Sequence, residues 1–289
     1  MCAWWNCRLS PPKNGAKEYA ITDGFTVAVC ELLHRGVDLL GLCEVARKHF
    51  NQLETLLELH NLEHYKVLDL YTGGKSIDDF CLIYNSKKIS AAHALDSANI
   101  RDPLTNTWLK AGVFVQLRLM DFEDLFVGLS HWQSRQTYPE GSVNRLRLGQ
   151  ALRTKVSELM NKNPTTPIIL FGDYNDEPYH DSIVSGIGAS RDTEFVRKRP
   201  HYFYNPYWIC LGPRDEAVPP GSFIHASAIE GSGGAVYDQI LFSSHFLRDW
   251  MFKCAGSIVS DISSLELEMV WSDISDHYPV LSHLVRNEL

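Results

Sequence analysis

The sequence predicts a single layered domain in which short β-strands alternate with α-helices. Short apolar runs rich in Val, Ile, Leu, Phe and Trp alternate along the chain with stretches whose apolar residues recur at helical spacing. Strands and helices interleave at both ends of the chain, which favours a layered α/β arrangement over an all-β one. Because no shift in composition resembles a linker, we expect residues 1–289 to form one domain.

The predicted elements follow from these patterns. Strands are expected at 3–7, 37–43, 66–70, 79–85, 112–119, 125–131, 167–173, 236–242 and 279–284. Helices are expected at 18–35, 45–61 and 143–162. Residues 174–234 form the least regular stretch, because prolines and glycines recur there. A long irregular segment within a compact domain is usually functional.

The composition narrows the function classes. The formal net charge of −8 argues against a protein whose main task is to coat nucleic acid. It does not exclude an enzyme that binds phosphate through metal ions, because clustered carboxylates themselves add negative charge. The seven cysteines form no CxxC pair, so we expect reduced thiols and no zinc site. With neither a signal peptide nor an apolar run long enough to span a membrane, a cytoplasmic location is expected.

The strand at 167–173 leads into LFGDYNDEP at 170–178, where two polar side chains follow an apolar run. Asp173 and Asn175 are two residues apart, so in an extended chain they point to the same side. A carboxylate beside an amide suits a metal-bound phosphate, because one positions water and the other donates to oxygen. An Asx-rich turn after a buried strand is the alternative interpretation.

Two further blocks combine histidine with carboxylates. Asp276 and His277 lie in SDISDHYPVLSHL at 272–284, where the Asp can reach a metal and the His can act as general acid or base. Asp238 lies in the apolar stretch AVYDQILFSS at 235–244, and a histidine partner would satisfy this buried carboxylate. The alternatives are a surface turn and a strand-end Asp that caps a loop amide.

His131 ends an apolar strand in VGLSHWQSR at 127–135 and can donate to a phosphate oxygen. Asp78 is expected to be its acidic partner. Arg135 or Arg145 is expected to add charge-assisted hydrogen bonds to phosphate. A histidine satisfied at an internal interface is the alternative.

Glu44 and Asn6 follow the apolar stretches of VDLLGLCEV at 37–45 and AWWNC at 3–7. A carboxylate at a strand end suits a hard cation such as Mg²⁺, which takes oxygen ligands. For each residue alone, a polar side chain at a strand exit is the favoured interpretation. In combination, five apolar strands deliver carboxylates and histidines at one end, which matches metal-assisted hydrolysis of a phosphate ester.

In order and combination, these blocks resemble the endonuclease/exonuclease/phosphatase superfamily with the deoxyribonuclease-I-like fold, in particular its bacterial hydrolases. The match runs through WN at 5–6, Glu44, SHWQSR at 130–135, GDYNDEP at 172–178, YDQILFS at 237–243 and SDHYP at 275–279. The resemblance implies an α+β fold, a four-layer α/β/β/α sandwich in which two mostly antiparallel sheets are flanked by helices.

The resemblance also implies a metal site. Glu44 would hold Mg²⁺, with Mn²⁺ as a substitute. Asn6 would lie beside the ion and Asp276 would support it.

For the reacting groups, the resemblance implies that Asn175 and His131 bind the phosphate. Asp173 would position or deprotonate the attacking water. His277, oriented by Asp238, would act as general base or stabilise the phosphorane. Whether Asp173 or His277 takes the proton stays open.

The favoured function is a nuclease acting on DNA or RNA, so the expected partner is a phosphate-containing substrate and most of all a nucleic acid. The segment RKRPHYFYNPYW at 197–208 mixes cations with aromatics, which suits single-stranded nucleic acid, although a turn followed by core aromatics is the simpler interpretation. The alternatives are a phosphatase or phosphodiesterase acting on a small molecule or lipid headgroup, and a catalytically silent binding scaffold. The oligomeric state is left open.

Overall fold

The computed structural model describes residues 1–10, 20–72, 78–103, 105–121, 123–212, 221–223, 234–261 and 271–287. The strands in these residues are β1 (Cys2–Asn6), β2 (Leu39–Cys43), β3 (Tyr65–Thr72), β4 (Asp78–Asn85), β5 (Ile89–Leu95), β6 (Ile100–Arg101), β7 (Trp108–Leu109), β8 (Val113–Leu119), β9 (Asp124–His131), β10 (Ile168–Asp173), β11 (Ala189–Ser190), β12 (Phe203–Tyr204), β13 (Asp238–Ser243), β14 (Trp250–Ile258) and β15 (Val280–Arg286). The α-helices are α1 (Asp23–His34), α2 (His49–Leu59), α3 (Val143–Met160), α4 (Thr193–Arg197) and α5 (Trp271–Ile274). A π-helical segment covers Ser182–Ile187, and 3₁₀ helices cover Pro206–Leu211 and Ser244–Leu247.

Most of the described strands belong to two large sheets. One has the order β14-β15-β1-β2-β4-β3 and the other has the order β11-β12-β13-β10-β9-β8-β5, while β6 and β7 pair separately. Within the described residues, neighbouring strands of the large sheets are antiparallel except for the pairs β1/β2, β9/β10 and β11/β12. The prediction of two mostly antiparallel sheets is therefore confirmed.

Side-chain alternation along the strands separates three apolar cores. In β1, Trp4 packs between the two sheets, whereas Trp5 packs with Phe25 of α1. In β10, Phe171 belongs to the core between the sheets, and Leu170 packs in the core under α3. Full burial of side chains of this size stabilises the fold by roughly 2–3 kcal/mol each. The four-layer α/β/β/α sandwich is thus confirmed.

The same alternation places polar strand ends between the sheets. Each such residue lies two positions from an apolar residue of the inter-sheet core. The pairs are Asn6 with Trp4, His131 with Leu129, Asp173 with Phe171 and Asp238 with Ile240. Strand pairing brings the polar ends together, since Asp173 is in register with both His131 and Asp238.

All nine predicted strands and all three predicted helices have counterparts, with ends shifted by a few residues. Residues 18 and 19 of the first predicted helix lie outside the described residues. The helix itself begins at Asp23, where Thr22 Oγ1 accepts from the Phe25 amide at 3.2 Å. The stretch expected to be irregular contains β11, α4 and β12, while its residues 213–220 and 224–233 lie outside the described part.

Four described strands of the large sheets were not predicted: the two-residue strands β11 and β12, and the longer strands β5 and β14, which are considered next. Three of the seven residues of strand β5 are alanines, which give little contrast between its two faces. Strand β14 shifts register against β15 between Phe252 and Cys254 and again before Ser257, so its apolar residues do not alternate regularly. Both lie at sheet edges, where one side has no neighbouring strand to specify the pattern.

All seven cysteines lie in the described part and are free thiols. In that part of the chain, no helix has both the length and the apolarity needed to cross a bilayer.

Candidate active site

Asp173, the last residue of β10, lies at the centre of a buried polar cluster. Its Oδ2 accepts from Asn6 Nδ2 at 3.1 Å and lies 3.7 Å from His277 Nε2 and 3.9 Å from His131 Nε2. Its Oδ1 accepts from the Asn175 amide at 3.0 Å. The structure therefore brings together residues 6, 131, 173, 175 and 277, which come from distant parts of the sequence.

A buried hydrogen-bond chain fixes the His277 ring. His277 Nδ1 and Asp238 Oδ2 are 2.7 Å apart, and Asp238 Oδ1 accepts from Trp4 Nε1 at 2.9 Å. Trp5 Nε1 donates to the His277 carbonyl at 2.9 Å. Burial lowers the pKa of His277, but Asp238 and then Asp173 outweigh it and raise the pKa to about 10. His277 is thereby held as an imidazolium with Nε2 facing Asp173.

His131 is held in a similar way from the other side of the cluster. Its Nδ1 lies 3.6 Å from Asp79 Oδ1, and its Nε2 lies 3.7 Å from Glu44 Oε1. Burial lowers the pKa of His131, but Asp79, followed by Glu44 and Asp173, outweighs burial and raises the pKa to about 9. Both imidazoles therefore present Nε2 toward Asp173 and have a carboxylate near Nδ1.

The acidic partner of His131 differs from the expected one. Asp78 receives hydrogen bonds from Asn99 Nδ2 at 3.2 and 3.3 Å and from Thr72 Oγ1 at 3.3 Å. It is the next residue, Asp79, that lies beside His131. Because neighbouring residues of a strand point to opposite faces, only one of the two carboxylates can reach the imidazole. The pairing of Asp78 with His131 is corrected accordingly.

Glu44 reaches the cluster through a backbone turn at the end of β2. Its φ is 59°, in the left-handed region, and the following Val45 amide donates to the Asp79 carbonyl at 3.0 Å. Asn6 Nδ2 donates to Glu44 Oε1 at 3.3 Å, so this amide is shared between Glu44 and Asp173. Burial, reinforced by Asp79 and opposed by His131, raises the pKa of Glu44 to about 7.

The cleft that opens onto this cluster is lined by both acidic and basic side chains. The cleft has a volume of about 530 Å³, and its described charged lining comprises Arg8, Glu44, Asp79, Lys110, His131, Asp173, Asp276 and His277. Asp276 lies at the rim, 3.8 Å from Arg8, and its side chain is 42% exposed. Ligand atoms of Asp173, Asp238 and His277 also lie within 4.8 Å of one another. Since His277 Nδ1 already bonds Asp238, the oxygen-rich side around Glu44, Asn6 and Asp173 is the better fit for a divalent cation.

Arg145 does not reach the cleft. Its side chain is buried and donates to three backbone carbonyls, those of Tyr138 at 2.7 Å, Gln133 at 3.1 Å and Tyr174 at 3.3 Å. Five divergent N–H donors suit a guanidinium to this task. The expected contact of Arg145 with phosphate is replaced by a role in holding the loop after β10.

Arg135 has a related position outside the cleft lining. Its Nε donates to the Asn175 carbonyl at 3.0 Å, and its Nη1 donates to Glu140 at 2.9 Å. Asp176 Oδ1 lies 3.6 Å from both Arg135 and Arg145. Asn175, whose φ is 50°, also donates through Nδ2 to the Trp132 carbonyl at 2.9 Å. Arg135 thus holds the Asn175 carbonyl and Arg145 holds the Tyr174 carbonyl, and neither side chain is placed to bind a phosphate.

Several residues of the site were not predicted from the sequence. Trp4 could have been found, since it shares a strand face with Asn6 and carries a ring N–H that needs a partner. Asp79 is adjacent to Asp78, the residue that was predicted to be the acidic partner of His131. No pattern in the sequence singles out Lys110, or Phe223, whose ring centroid lies 4.7 Å from that of His277.

The basic and aromatic segment at 197–208 follows the simpler interpretation. Phe203 and Tyr207 are completely buried. Arg197 is paired with Glu194, and Arg199 lies 4.1 Å over the Phe195 ring. These residues pack against the protein itself, so the segment no longer favours nucleic acid.

Comparison with known proteins agrees with this geometry. A sequence profile of the endonuclease/exonuclease/phosphatase family matches residues 17–211, more than half of the chain. The chain belongs to this family. It is accordingly a hydrolase that acts on phosphate esters. No curated protein sequence matches the chain at a significant level.

Solved structures of low sequence identity share the fold of this family member. The human nocturnin catalytic domain with bound sulfate has a TM-score of 0.59 at 16% identity, covering 99% of this chain and 94% of that one. Mannosyl-6-phosphatase from Bacteroides thetaiotaomicron has a TM-score of 0.62 at 16% identity, covering 98% of both chains. D. rerio TDP2 with a single-stranded DNA product has a TM-score of 0.56 at 14% identity, covering 90% and 91%.

Proposed function

We propose that this family member is a divalent-metal-dependent nuclease that hydrolyses phosphodiester bonds of DNA or RNA. The observation that carries the proposal is the convergence of two imidazole Nε2 atoms on Asp173 Oδ2, at 3.7 and 3.9 Å. Each imidazole has a further carboxylate near Nδ1, which fixes its orientation. Such an arrangement is suited to a pentavalent phosphorus centre, where charge develops on the nonbridging oxygens.

In the proposed reaction, Asp173 positions the attacking water and accepts its proton through Oδ2. The water oxygen bonds to phosphorus, the P–O bond to the leaving group breaks, and the leaving alkoxide takes up a proton from solvent. His277 and His131 donate from Nε2 to oxygens of the phosphoryl group. Asp238, whose Oδ2 lies 2.7 Å from Nδ1, holds the His277 ring in the required orientation. Asn175 binds the phosphate at the edge of the cleft. This assigns the proton to Asp173, because both imidazoles turn an N–H toward the cleft.

Glu44 would hold the metal ion, with Asn6 beside it and Asp276 in support. The proposed ion is Mg²⁺, with Mn²⁺ as a substitute, and when bound it would withdraw charge from a phosphoryl oxygen. The buried Glu44 carboxylate and its neighbour Asp173 share a single amide donor, which leaves a site rich in oxygen ligands.

The competing substrate class is a small phosphate ester, and one structural neighbour is a mannosyl-6-phosphatase. Another neighbour was solved with a single-stranded DNA product, which supports the nuclease. A lipid headgroup remains within the small-molecule alternative. The free thiols, six of them buried, support a cytoplasmic location for the activity.

The test is a substrate panel with Mg²⁺ or Mn²⁺, comprising single- and double-stranded DNA, RNA, bis(p-nitrophenyl) phosphate and mannose 6-phosphate. We expect cleavage of nucleic acid that stops in chelator. His277→Ala should lower turnover by about 10²–10⁴-fold, whereas the exposed His93→Ala serves as control.

The outcomes separate the alternatives. Hydrolysis of mannose 6-phosphate alone would replace the nuclease by a phosphatase. Full turnover in chelator would remove the metal ion from the proposal. Turnover of no substrate at all, with Glu44→Gln still binding its partner, would indicate a binding scaffold.

A further inference from the structure

The small two-stranded sheet formed by β6 and β7 stands beside the cleft and is firmly anchored. Arg147 of α3 lies 3.2 Å from Asp102, which directly follows β6 and is buried. Gln133, which lines the cleft, donates through Nε2 to the Trp108 carbonyl at 3.1 Å. The hairpin is therefore tied both to a helix and to the segment that follows His131.

One face of this hairpin combines an exposed indole with cations. Trp108 is 47% exposed and pairs across the sheet with Arg101, which is also exposed. Lys110 follows two residues later and lines the cleft. Residues two apart in an extended chain point to the same side, and their Cα atoms are about 6.6 Å apart. Arg101, Trp108 and Lys110 thus form a basic-aromatic strip that leads to the active site.

We propose that this strip binds the part of a single-stranded polynucleotide next to the scissile phosphate, with a base stacked on Trp108 and a neighbouring phosphate held by Arg101 or Lys110. The proposal rests on the nuclease function above and adds the substrate subsite to it. Aromatic side chains beside cations are the usual means of holding single strands, because every base offers a π face.

Two features favour a polynucleotide over a sugar phosphate. A sugar ring can also pack on an indole, but a sugar monophosphate has one phosphate, which the reaction centre itself would take. Cations on both sides of Trp108 suit a ligand that has further phosphates. The strip itself carries two cations on a chain whose formal net charge is −8, and such a local positive charge suits a polyanion.

The test measures binding of fluorescein-labelled oligothymidylate in chelator, where no cleavage occurs. We expect Trp108→Ala to weaken the Kd roughly tenfold and Trp108→Phe to restore most of the affinity, because a phenyl ring still stacks. Arg101→Gln should reduce the slope of log Kd against log salt by about 0.7, as expected for one lost contact with a single-stranded phosphate backbone.

The matched control is Met251→Ala, which removes an exposed apolar side chain of β14 outside the cleft lining and should leave the Kd unchanged. In turnover, Trp108→Ala should lower kcat/KM for the oligonucleotide relative to that for methyl p-nitrophenyl phosphate by a similar factor.

Two outcomes would overturn the strip while leaving the nuclease intact. One is cleavage and binding of oligonucleotides by Trp108→Ala with a Kd within twofold of the unmodified protein. The other is a Trp108→Ala variant that loses affinity for sugar phosphates but keeps its affinity for oligonucleotides. If the unmodified protein neither binds nor cleaves any nucleic acid, the nuclease proposal itself fails. Circular dichroism of each variant establishes that the fold is intact.

Discussion

At the scale of single residues, the adjacent pair Asp78 and Asp79 separates a structural carboxylate from one that faces the site. The two are similarly buried, at 6% and 7% exposure. Asp79 lies beside His131, whereas Asp78 bonds Asn99 and Thr72. Isosteric substitution of each therefore gives a comparison in which burial is matched.

We expect Asp79→Asn to lower kcat by about 10²-fold, because the His131 ring loses the charge that orients it and keeps it protonated. Asp78→Asn should change kcat little, since the amide still accepts from Asn99. Steady-state kinetics on one phosphodiester checks both. The reverse ranking would reinstate Asp78 as the partner of His131.

Strand periodicity determined which residues of the site could be predicted from the sequence. Asn6, His131, Asp173 and Asp238 were found because each continues the alternation of a buried strand. The choice between Asp78 and Asp79 could not be made from the sequence, because it depends on how the start of β4 contacts Val45. That contact lies across strands and leaves no periodic trace in either one.

At the scale of elements, the loop after β10 is held by charged side chains from other segments. Arg145 comes from α3, Arg135 from the loop after β9, and both face Asp176 of the held loop. Asp176 Oδ2 also accepts from Ser182 Oγ at 2.5 Å. The sequence motifs suggested that both arginines contact phosphate. A motif does not show which buried carbonyls lie within reach of a side chain, so the backbone contacts of the arginines were not predicted.

We expect Arg145→Lys to lower the free energy of unfolding by about 3 kcal/mol, because an ammonium cannot serve three divergent carbonyls and leaves Asp176 poorly paired. Urea denaturation measures the change, and the exposed Arg248→Lys is the control. An unchanged unfolding free energy together with a higher KM would instead support the original assignment to phosphate.

A second inter-element contact links β1 to the start of β2 and the β4–β5 turn. Asp38 Oδ2 lies 2.9 Å from the Met1 ammonium and 2.8 Å from Lys88 Nζ. Burial raises the pKa of Asp38, but the ammonium and Lys88 outweigh it and lower the pKa below its ordinary value. An acid with a lowered folded pKa stabilises the protein above its unfolded pKa, and this contribution is lost as the pH falls through the folded value.

The unfolding free energy should therefore fall between about pH 5 and pH 3, and less steeply in Asp38→Asn. Denaturation at a series of pH values checks this slope. Asp261→Asn, at a side chain that is 88% exposed, provides the comparison. Identical slopes for the Asp38 variant and the unmodified protein would mean that this ion pair adds no stability.

At the scale of the whole molecule, the site draws on both sheets. Asn6 ends β1 and Glu44 follows β2 in one sheet, whereas Asp173 and Asp238 belong to the β10/β13 pair of the other. The layered class was predictable from the interleaving of elements. The strands β5 and β14 were not, because the alanines of β5 and the register shifts of β14 obscure the alternation of apolar and polar residues.

A ligand that bridges the two sheets should stabilise the whole sandwich. With Mg²⁺ at about 100 times its Kd, the folded state gains about 2.7 kcal/mol, which should raise Tm by several degrees. Differential scanning calorimetry measures the shift. Glu44→Gln should abolish the response to Mg²⁺, and an undiminished shift in that variant would place the ion elsewhere.

Glu44 and Asn175 have a left-handed backbone conformation, with φ of 59° and 50°, and this conformation lowers the stability of the fold. Such a conformation is unfavourable by roughly 1–2 kcal/mol for side chains with a Cβ, less so for asparagine. Glycine at position 44 would remove this backbone strain and would also remove the carboxylate. In a library selected for thermal stability, we therefore expect Glu44→Gly variants to be enriched. These variants should be more stable than the parent protein but inactive, so selection for stability and selection for activity would favour different residues at position 44.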